Sequence, residues 1–233
     1  MNILNKEFDK VVCINLSERK DKREVMQKKF DDLGIEVEWY TAVQYGFIPR
    51  LAKVINSSGI GKFNENQPYE IGAALSHYSV IKQALNEGAE KIFVFEDDVL
   101  FHKEFNNKVE KYLQDAPTDW DLLLFYSFMY SYQPQNIRVS KRWMKSYDSW
   151  SLMSYAINKR GMTEYIRMQD EHFQIADLVT YLMQRNNRFN IYSAVPSICI
   201  PATKMGSNIR GNNMNYEKKP TITNMGYSDD HYE

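Results

Sequence analysis

The chain has 233 residues, 43% of them apolar and 25% charged, a balance that suits one substantial core and excludes general disorder. With 29 basic against 30 acidic residues and a net charge of -1, nothing draws the chain as a whole to nucleic acid or anionic lipid. No stretch reaches the length of a membrane span, and the start MNILNKEFDK lacks a basic segment followed by a long apolar core. The sequence therefore predicts no signal peptide, no anchor and a cytoplasmic location. Cys13 and Cys199 both sit in apolar stretches, where a buried, reduced thiol is the usual state. Aromatic residues reach 14% with 16 tyrosines, which suits a carbohydrate-stacking cleft and equally a well-packed core.

In chain order, VVCINL (residues 11–16) is a β-branched apolar run that predicts a strand, and Ser17 offers an N-cap for a helix reaching Leu33 and stopped by Gly34. Val25, Met26, Phe30 and Leu33 recur on it at helical spacing. A second strand is expected over 37–43, opening a βαβ unit. From Gln44 to Pro68 the glycines, prolines and asparagines predict a long irregular connection of the kind that forms binding segments. A helix follows over 71–86, with Ile71, Leu75, Tyr78, Ile81 and Leu85 on one face and Gly88 behind it, and then the apolar strand that begins at Lys91. Further on, the pattern predicts a helix over 103–114, a buried strand over 121–127, a loop or short hairpin over 130–149, and a strand over 150–157. Helices over 159–168 and 175–186 and a strand over 190–195 complete it. Strands alternating with helices place the chain in the α/β class, with a mostly parallel central sheet covered by helices on both faces. One domain is expected over residues 1–204, followed by a polar tail, 205–233, ordered only in its first part.

The most informative segment is KIFVFEDDVLF, residues 91–101, where a buried strand ends in Glu96, Asp97 and Asp98. Adjacent carboxylates repel, and a divalent cation offsets that cost; oxygen donors favour magnesium, manganese or calcium. In open α/β sheets ligands sit beyond the carboxyl ends of the strands, where this acidic step falls. Glu96 and Asp98 are one residue apart and would project to the same side of an extended chain, so they are the candidate metal ligands. Receiver domains and haloacid-dehalogenase-type phosphatases also place acids after an apolar strand. Theirs follows the first strand, whereas here a complete βαβ unit comes before.

Read together, three segments resemble glycosyltransferase family 25, which includes lipooligosaccharide and procollagen galactosyltransferases. VCINLSERKDKR (12–23) is similar to the family's opening strand and basic turn, IGAALSHYSVI (71–81) to its Gly-x-x-Leu-Ser-His helix, and FEDDV (95–99) to its Glu-Asp-Asp-Val strand end. YAINKRG (155–161) resembles a Tyr-x-Ile-x-x-x-Gly segment, Ala176–Leu178 falls where an Asp-centred helix start is expected, and SNI (207–209) resembles Ser-Asp-Ile, with Asn208 in place of the acid.

The resemblance implies a GT-A-type nucleotide-diphosphosugar transferase fold, a UDP-sugar donor, manganese or magnesium held by Glu96 and Asp98, and a glycan or glycoprotein acceptor. The expected reaction is inverting transfer of a hexose, galactose from UDP-galactose first, as in lipopolysaccharide biosynthesis. Asn15, Arg19 and Arg23 are then candidates for base and phosphate contacts, guanidinium groups matching phosphate oxygens bidentately. His77, Tyr155, Ser207 and Asn208 join them as donor-binding candidates. A base must take the acceptor's proton; Asp177, at a helix start in an apolar setting, is the first candidate, with Asp97 and then Asp148 behind it. The competing expectation is a catalytically silent sugar-binding or scaffold module of the same fold, which Asn208 favours.

Overall fold

The computed structural model describes residues 2–44, 68–129, 134–186, 188–202 and 231–233. Helix α1 (Ile3–Glu7) leads into β1 (Lys10–Asn15), α2 (Lys20–Leu33) and β2 (Glu38–Thr41). Next come α3 (Pro68–Asn86), β3 (Lys91–Glu96), β4 (Val99–Phe101), α4 (Phe105–Gln114), β5 (Leu122–Leu124) and β6 (Phe128–Met129). The remainder comprises β7 (Trp143–Lys145), β8 (Ser149–Trp150), β9 (Ser154–Asn158), α5 (Lys159–Glu171), α6 (Ala176–Arg185), β10 (Ile191–Ala194) and β11 (Cys199–Pro201). Most of the predicted connection 44–68 lies outside the described residues, as do Ser207 and Asn208. Among the described residues no helix is long and apolar enough to cross a membrane.

A seven-stranded sheet runs in the order β2-β1-β3-β9-β5-β10-β7. β1 pairs in parallel with β2 and β3, and β10 with β5, while β9 lies antiparallel between β3 and β5 and β7 antiparallel on the far edge. All strands but β9 and β7 thus point one way, so the α/β class and the mostly parallel sheet are as predicted. The pleat then sorts the core into two layers, because alternate side chains face opposite ways. Val11, Cys13, Phe93, Phe95, Leu123 and Ala156 meet α1, α2 and α4 on one face. Val12, Ile14, Ile92, Val94, Leu122, Leu124, Tyr155 and Ile157 meet α3, α5 and α6 on the other. The first layer is strongly aromatic, with Phe93 and Phe95 at 4.6 Å between centroids and Phe101 and Phe105 at 4.8 Å. Each such buried ring contributes about 1.5–3 kcal/mol.

Several boundaries depart from expectation for local reasons. Ser17 does not cap α2; the chain turns once more, Arg19 N–H bonding to Leu16 O at 2.9 Å, and Arg19 becomes the N-cap, its side chain making no capping hydrogen bond. Gly34 ends α2 as predicted, at φ 66° in the left-handed region. Val25 is 41% exposed, and the buried stripe of α2 is Lys22, Met26 and Phe30. The expected strand 150–157 divides into β8 and β9 at Ser151, whose φ of 107° no regular strand accommodates. β7, with its bridge between Arg138 and Met144, supplies the short hairpin expected within 130–149. β4 and β11 form an additional two-stranded sheet beyond the acidic step, and the far end of the tail returns to it. Phe101 and Glu233 exchange backbone hydrogen bonds at 3.0 and 2.9 Å, and the buried Tyr232 donates to Ser197 O at 2.7 Å. The described part of the tail is therefore its end.

Gly161 allows the first turn of α5 to press on the start of β5. A Cβ there would lie 2.4 Å from Asp121 O, a backbone atom that cannot swing away. Although alanine is the better helix former by about 1 kcal/mol, Gly161→Ala is expected to lower stability by about 1–3 kcal/mol. A thermal midpoint equal to the native one would contradict this.

Candidate active site

The acidic step leaves β3 at the carboxyl edge of the sheet, and the pleat decides where each acid goes. Glu96 follows Ile92 and Val94 toward α3, where its Oε1 lies 3.0 Å from His77 Nε2. Asp97 follows Phe93 and Phe95 toward α2, where its Oδ1 accepts from Lys22 Nζ at 3.0 Å and its Oδ2 from Asn15 Nδ2 at 2.7 Å. β3 ends at Glu96 and residues 97–98 form a turn into β4, so the extended-chain spacing expected for Glu96 and Asp98 does not apply. The turn carries Asp98 back to the same lysine, its Oδ2 3.2 Å from Lys22 Nζ. Glu96, Asp97 and Asp98 nevertheless line one cleft, together with Asn15, Lys22, His77 and the small residues Gly72, Ala73 and Ser76 of α3. Ser76 closes its floor by accepting from Val43 N–H at 2.9 Å and donating to Gly72 O at 2.7 Å.

Lys22 is the functional residue that the sequence reading missed. It is 1% exposed, and its ammonium is the counter-charge for two carboxylates. Burial would lower its pKa, but the Asp98 and Asp97 charges outweigh that and raise it. The available signal was its place four residues before Met26 and eight before Phe30, on the apolar stripe of the helix.

His77 is equally buried and forms a chain, its Nδ1 standing 3.0 Å from the Tyr155 hydroxyl while Nε2 faces Glu96. Burial raises the Tyr155 pKa well above the ordinary phenol value, which keeps its hydroxyl proton in place to donate. With Tyr155 donating to Nδ1, Nε2 carries the hydrogen and donates to Glu96, fixing that carboxylate's orientation. Burial alone would push the Glu96 carboxyl up, but the His77 hydrogen bond, with the Lys22 charge, holds it below its usual value. Asp98 shows the opposite balance: burial first, then the Glu96 charge, push it up to about 6 despite Lys22.

This cluster carries an unmet negative charge. Three carboxylates face one lysine and one histidine, and the strain concentrates on Asp98, which is 22% exposed at the cleft. Among the described residues no three His, Cys, Asp or Glu side chains form a ready-made cation cage. Two all-oxygen donors with excess charge still fit magnesium or manganese, which usually take one or two carboxylates and complete their shells with phosphate oxygens and water. Asp97 differs, since both its oxygens are already engaged and its place is that of a bracket between β1, α2 and the turn.

The other predicted residues are more scattered. Asn15 bridges the acidic step to the basic turn, donating to Arg19 O at 3.2 Å as well as to Asp97. Arg19 forks onto Asp21 at 2.9 and 2.8 Å. Arg23 lies 4.8 Å over the Trp39 ring and, with Asn15, Lys20 and Tyr40, lines a second hollow on the α2 side of β1. Asp177 lies in the first turn of α6 and is absent from the residues lining the cleft. Its helix begins at the same sheet edge, because α5 starts from the end of the reversed strand β9 and runs back toward the acidic step. Asp148 stands 3.7 Å from Arg185 and is absent from the residues lining the cleft.

The chain is similar in sequence to known proteins. The sequence model of Glycosyltransferase family 25 (LPS biosynthesis protein) matches residues 8–202. Mouse procollagen galactosyltransferase 2 is 35% identical over 133 residues, covering 50% of this chain and 20% of that protein. Procollagen galactosyltransferase 1-B of Xenopus laevis is 30% identical over 182 residues, 70% of this chain and 28% of its own length. The human inactive glycosyltransferase 25 family member 3 is 30% identical over 133 residues, 50% of this chain and 21% of that protein. The chain thus spans less than a third of the length of these curated relatives. A solved glycosyltransferase involved in the glycosylation of the major capsid of PBCV-1 aligns over 79% of this chain and 81% of its own, with TM-score 0.45 and 9% identity. Since the family match takes in nearly the whole described structure and all three carboxylates of the acidic step, this chain belongs to glycosyltransferase family 25.

Proposed function

We propose that the protein is a metal-assisted, inverting hexosyltransferase that uses a nucleotide sugar, UDP-galactose first, and delivers the sugar to a hydroxyl of a glycan or hydroxylated protein acceptor. The observation that carries this reading is the cleft lined by Glu96, Asp97 and Asp98, where Asp97 and Asp98 share the buried lysine Lys22, and where burial and the Glu96 charge push Asp98 up to about 6. Such a site has its own unmet demand for a cation. A divalent ion bound by Glu96 and Asp98 would neutralise charge on the leaving diphosphate. The protein's own residues do the rest: Lys22 and Asn15 hold the turn, His77 aims Glu96, and the N–H groups and basic side chains after β1 receive the nucleotide. Asp177, in the first turn of α6, is the proposed base.

A panel of nucleotide sugars, scored for donor hydrolysis with and without manganese, tests the reading. Manganese-dependent cleavage of one UDP-hexose is expected; no cleavage of any donor would overturn it. The second reading, a silent module, has a specific observation in its favour, the inactive human relative. It predicts nucleotide binding without hydrolysis.

Tyr155→Phe probes the orienting chain without touching the cleft. Loss of the hydroxyl removes one buried hydrogen bond, about 1 kcal/mol of stability. Manganese and UDP affinity should fall about tenfold, the range for partners behind a metal ligand. Unchanged affinity in a folded variant would leave His77 a purely structural role.

A further inference from the structure

Beside the donor cleft the sheet edge carries a feature that the donor reading does not use. β6 continues past the carboxyl end of β5 and pairs with β8 as a small ribbon, and α6 packs on it. On this ribbon Trp150 stacks on Tyr181 of α6, ring centroids 4.7 Å apart and 24° from parallel. Arg185, one turn farther, lies 4.7 Å from the Tyr181 ring on one side and 4.5 Å from the Tyr147 ring on the other. Its guanidinium is 40% exposed and faces Asp148 at 3.7 Å. Tyr147, Trp150 and Tyr181 are each half-buried.

The ribbon is tied directly to the acidic step. Ser151, at φ 107°, turns the chain after Trp150 and accepts from Met153 N–H at 3.2 Å, and Met153 O accepts from Glu96 N–H at 2.8 Å. Met153 is three steps along the chain from Trp150, at most about 11 Å even when extended. A serine at positive φ is costly and persists where surrounding structure holds it, commonly at ligand clamps.

We propose that the Trp150–Tyr181 stack, braced by Arg185 and Tyr147, is the shelf on which a saccharide acceptor rests. The inference rests on the donor-site reading for its use in transfer, but not for its binding. The parts of the Trp150, Tyr181 and Tyr147 rings that the stack and Arg185 leave exposed offer apolar area for the C–H face of a sugar ring, and the Arg185–Asp148 pair offers donors and acceptors to its hydroxyls. The link through Ser151 and Met153 keeps the backbone of Trp150 within about 11 Å of Met153, whose carbonyl accepts from Glu96 N–H, a separation on the scale of a short saccharide.

Saturation-transfer NMR with lactose and maltose as probes tests the shelf without requiring turnover, and UDP binding is measured on the same native protein. Ring protons of at least one probe should be saturated by the native protein, and the effect should fall at least fivefold in Trp150→Ala. Arg185→Gln, which removes the brace at a residue with 40% of its side chain exposed, should lower it severalfold and serves if Trp150→Ala does not fold. No saturation with the native protein, or equal saturation in the folded variants, would overturn the shelf. Saccharide contact without UDP binding would sink the donor reading alone, and UDP binding without saccharide contact would sink the shelf alone.

Discussion

Asp98→Asn should abolish transfer while leaving the thermal midpoint of the metal-free protein no lower than the native one. The two halves of this expectation have one cause. In the folded protein Asp98 is pushed from 3.8 up to about 6, by burial and by Glu96, so its ionised form is disfavoured by on the order of 3 kcal/mol. A carboxyl whose pKa rises on folding contributes stability below its unfolded pKa and loses it as pH climbs through the folded one. At neutral pH the native metal-free protein therefore carries the full penalty. Asparagine removes it, and Lys22 keeps Asp97 as its partner. What asparagine cannot do is compete for a cation. For the same reason manganese affinity in the native protein should weaken as pH falls through about 6, where a proton occupies Asp98. Retained turnover, or a variant that unfolds at neutral pH, would contradict this account.

Lys22→Met should be the most destabilising single change at the site, by about 3–5 kcal/mol, because it strips two carboxylates of their buried counter-charge. The loss should depend on pH in a defined direction. Lys22 is raised on folding, so its contribution is complete below the unfolded lysine pKa and disappears only in strong alkali. In the variant, the unpaired acids become the disfavoured groups. Its stability deficit should shrink as pH is lowered from 7 toward 4.5 and they protonate, and added manganese should recover part of it. Urea melts at several pH values measure this directly. A deficit constant across that range would assign the loss to packing instead of charge.

Much of the fold was legible because continuous apolar runs and helix stops are local signals. VVCINL, KIFVFE and DLLLFYS became strands of the central sheet, and Gly34 stopped α2 at the expected residue. The acidic step was legible for the same reason, as an abrupt end to a buried run. What escaped were features fixed by partners distant in sequence. Lys22 reads as a solvated lysine in a basic turn until Asp97 and Asp98, 75 and 76 residues away, close over it. Asp97 reads as a free base until Asn15 and Lys22 take both its oxygens. His77 and Tyr155 were each visible as candidates, but 78 residues apart in the chain they carry no sign of their hydrogen bond. Ser151 is an ordinary serine in sequence, and its strained backbone, which splits the expected strand into β8 and β9, emerges only when the ribbon is pinned to Glu96.

The central claim is that the carboxylates at the edge of the sheet create a demand for a divalent cation that a nucleotide diphosphate helps to meet. Calorimetric titration of UDP into the native protein, with manganese and again with chelator, tests it most directly. Binding at least tenfold tighter with manganese is the predicted result. Equal affinity in both solutions, or no binding in either, would contradict it.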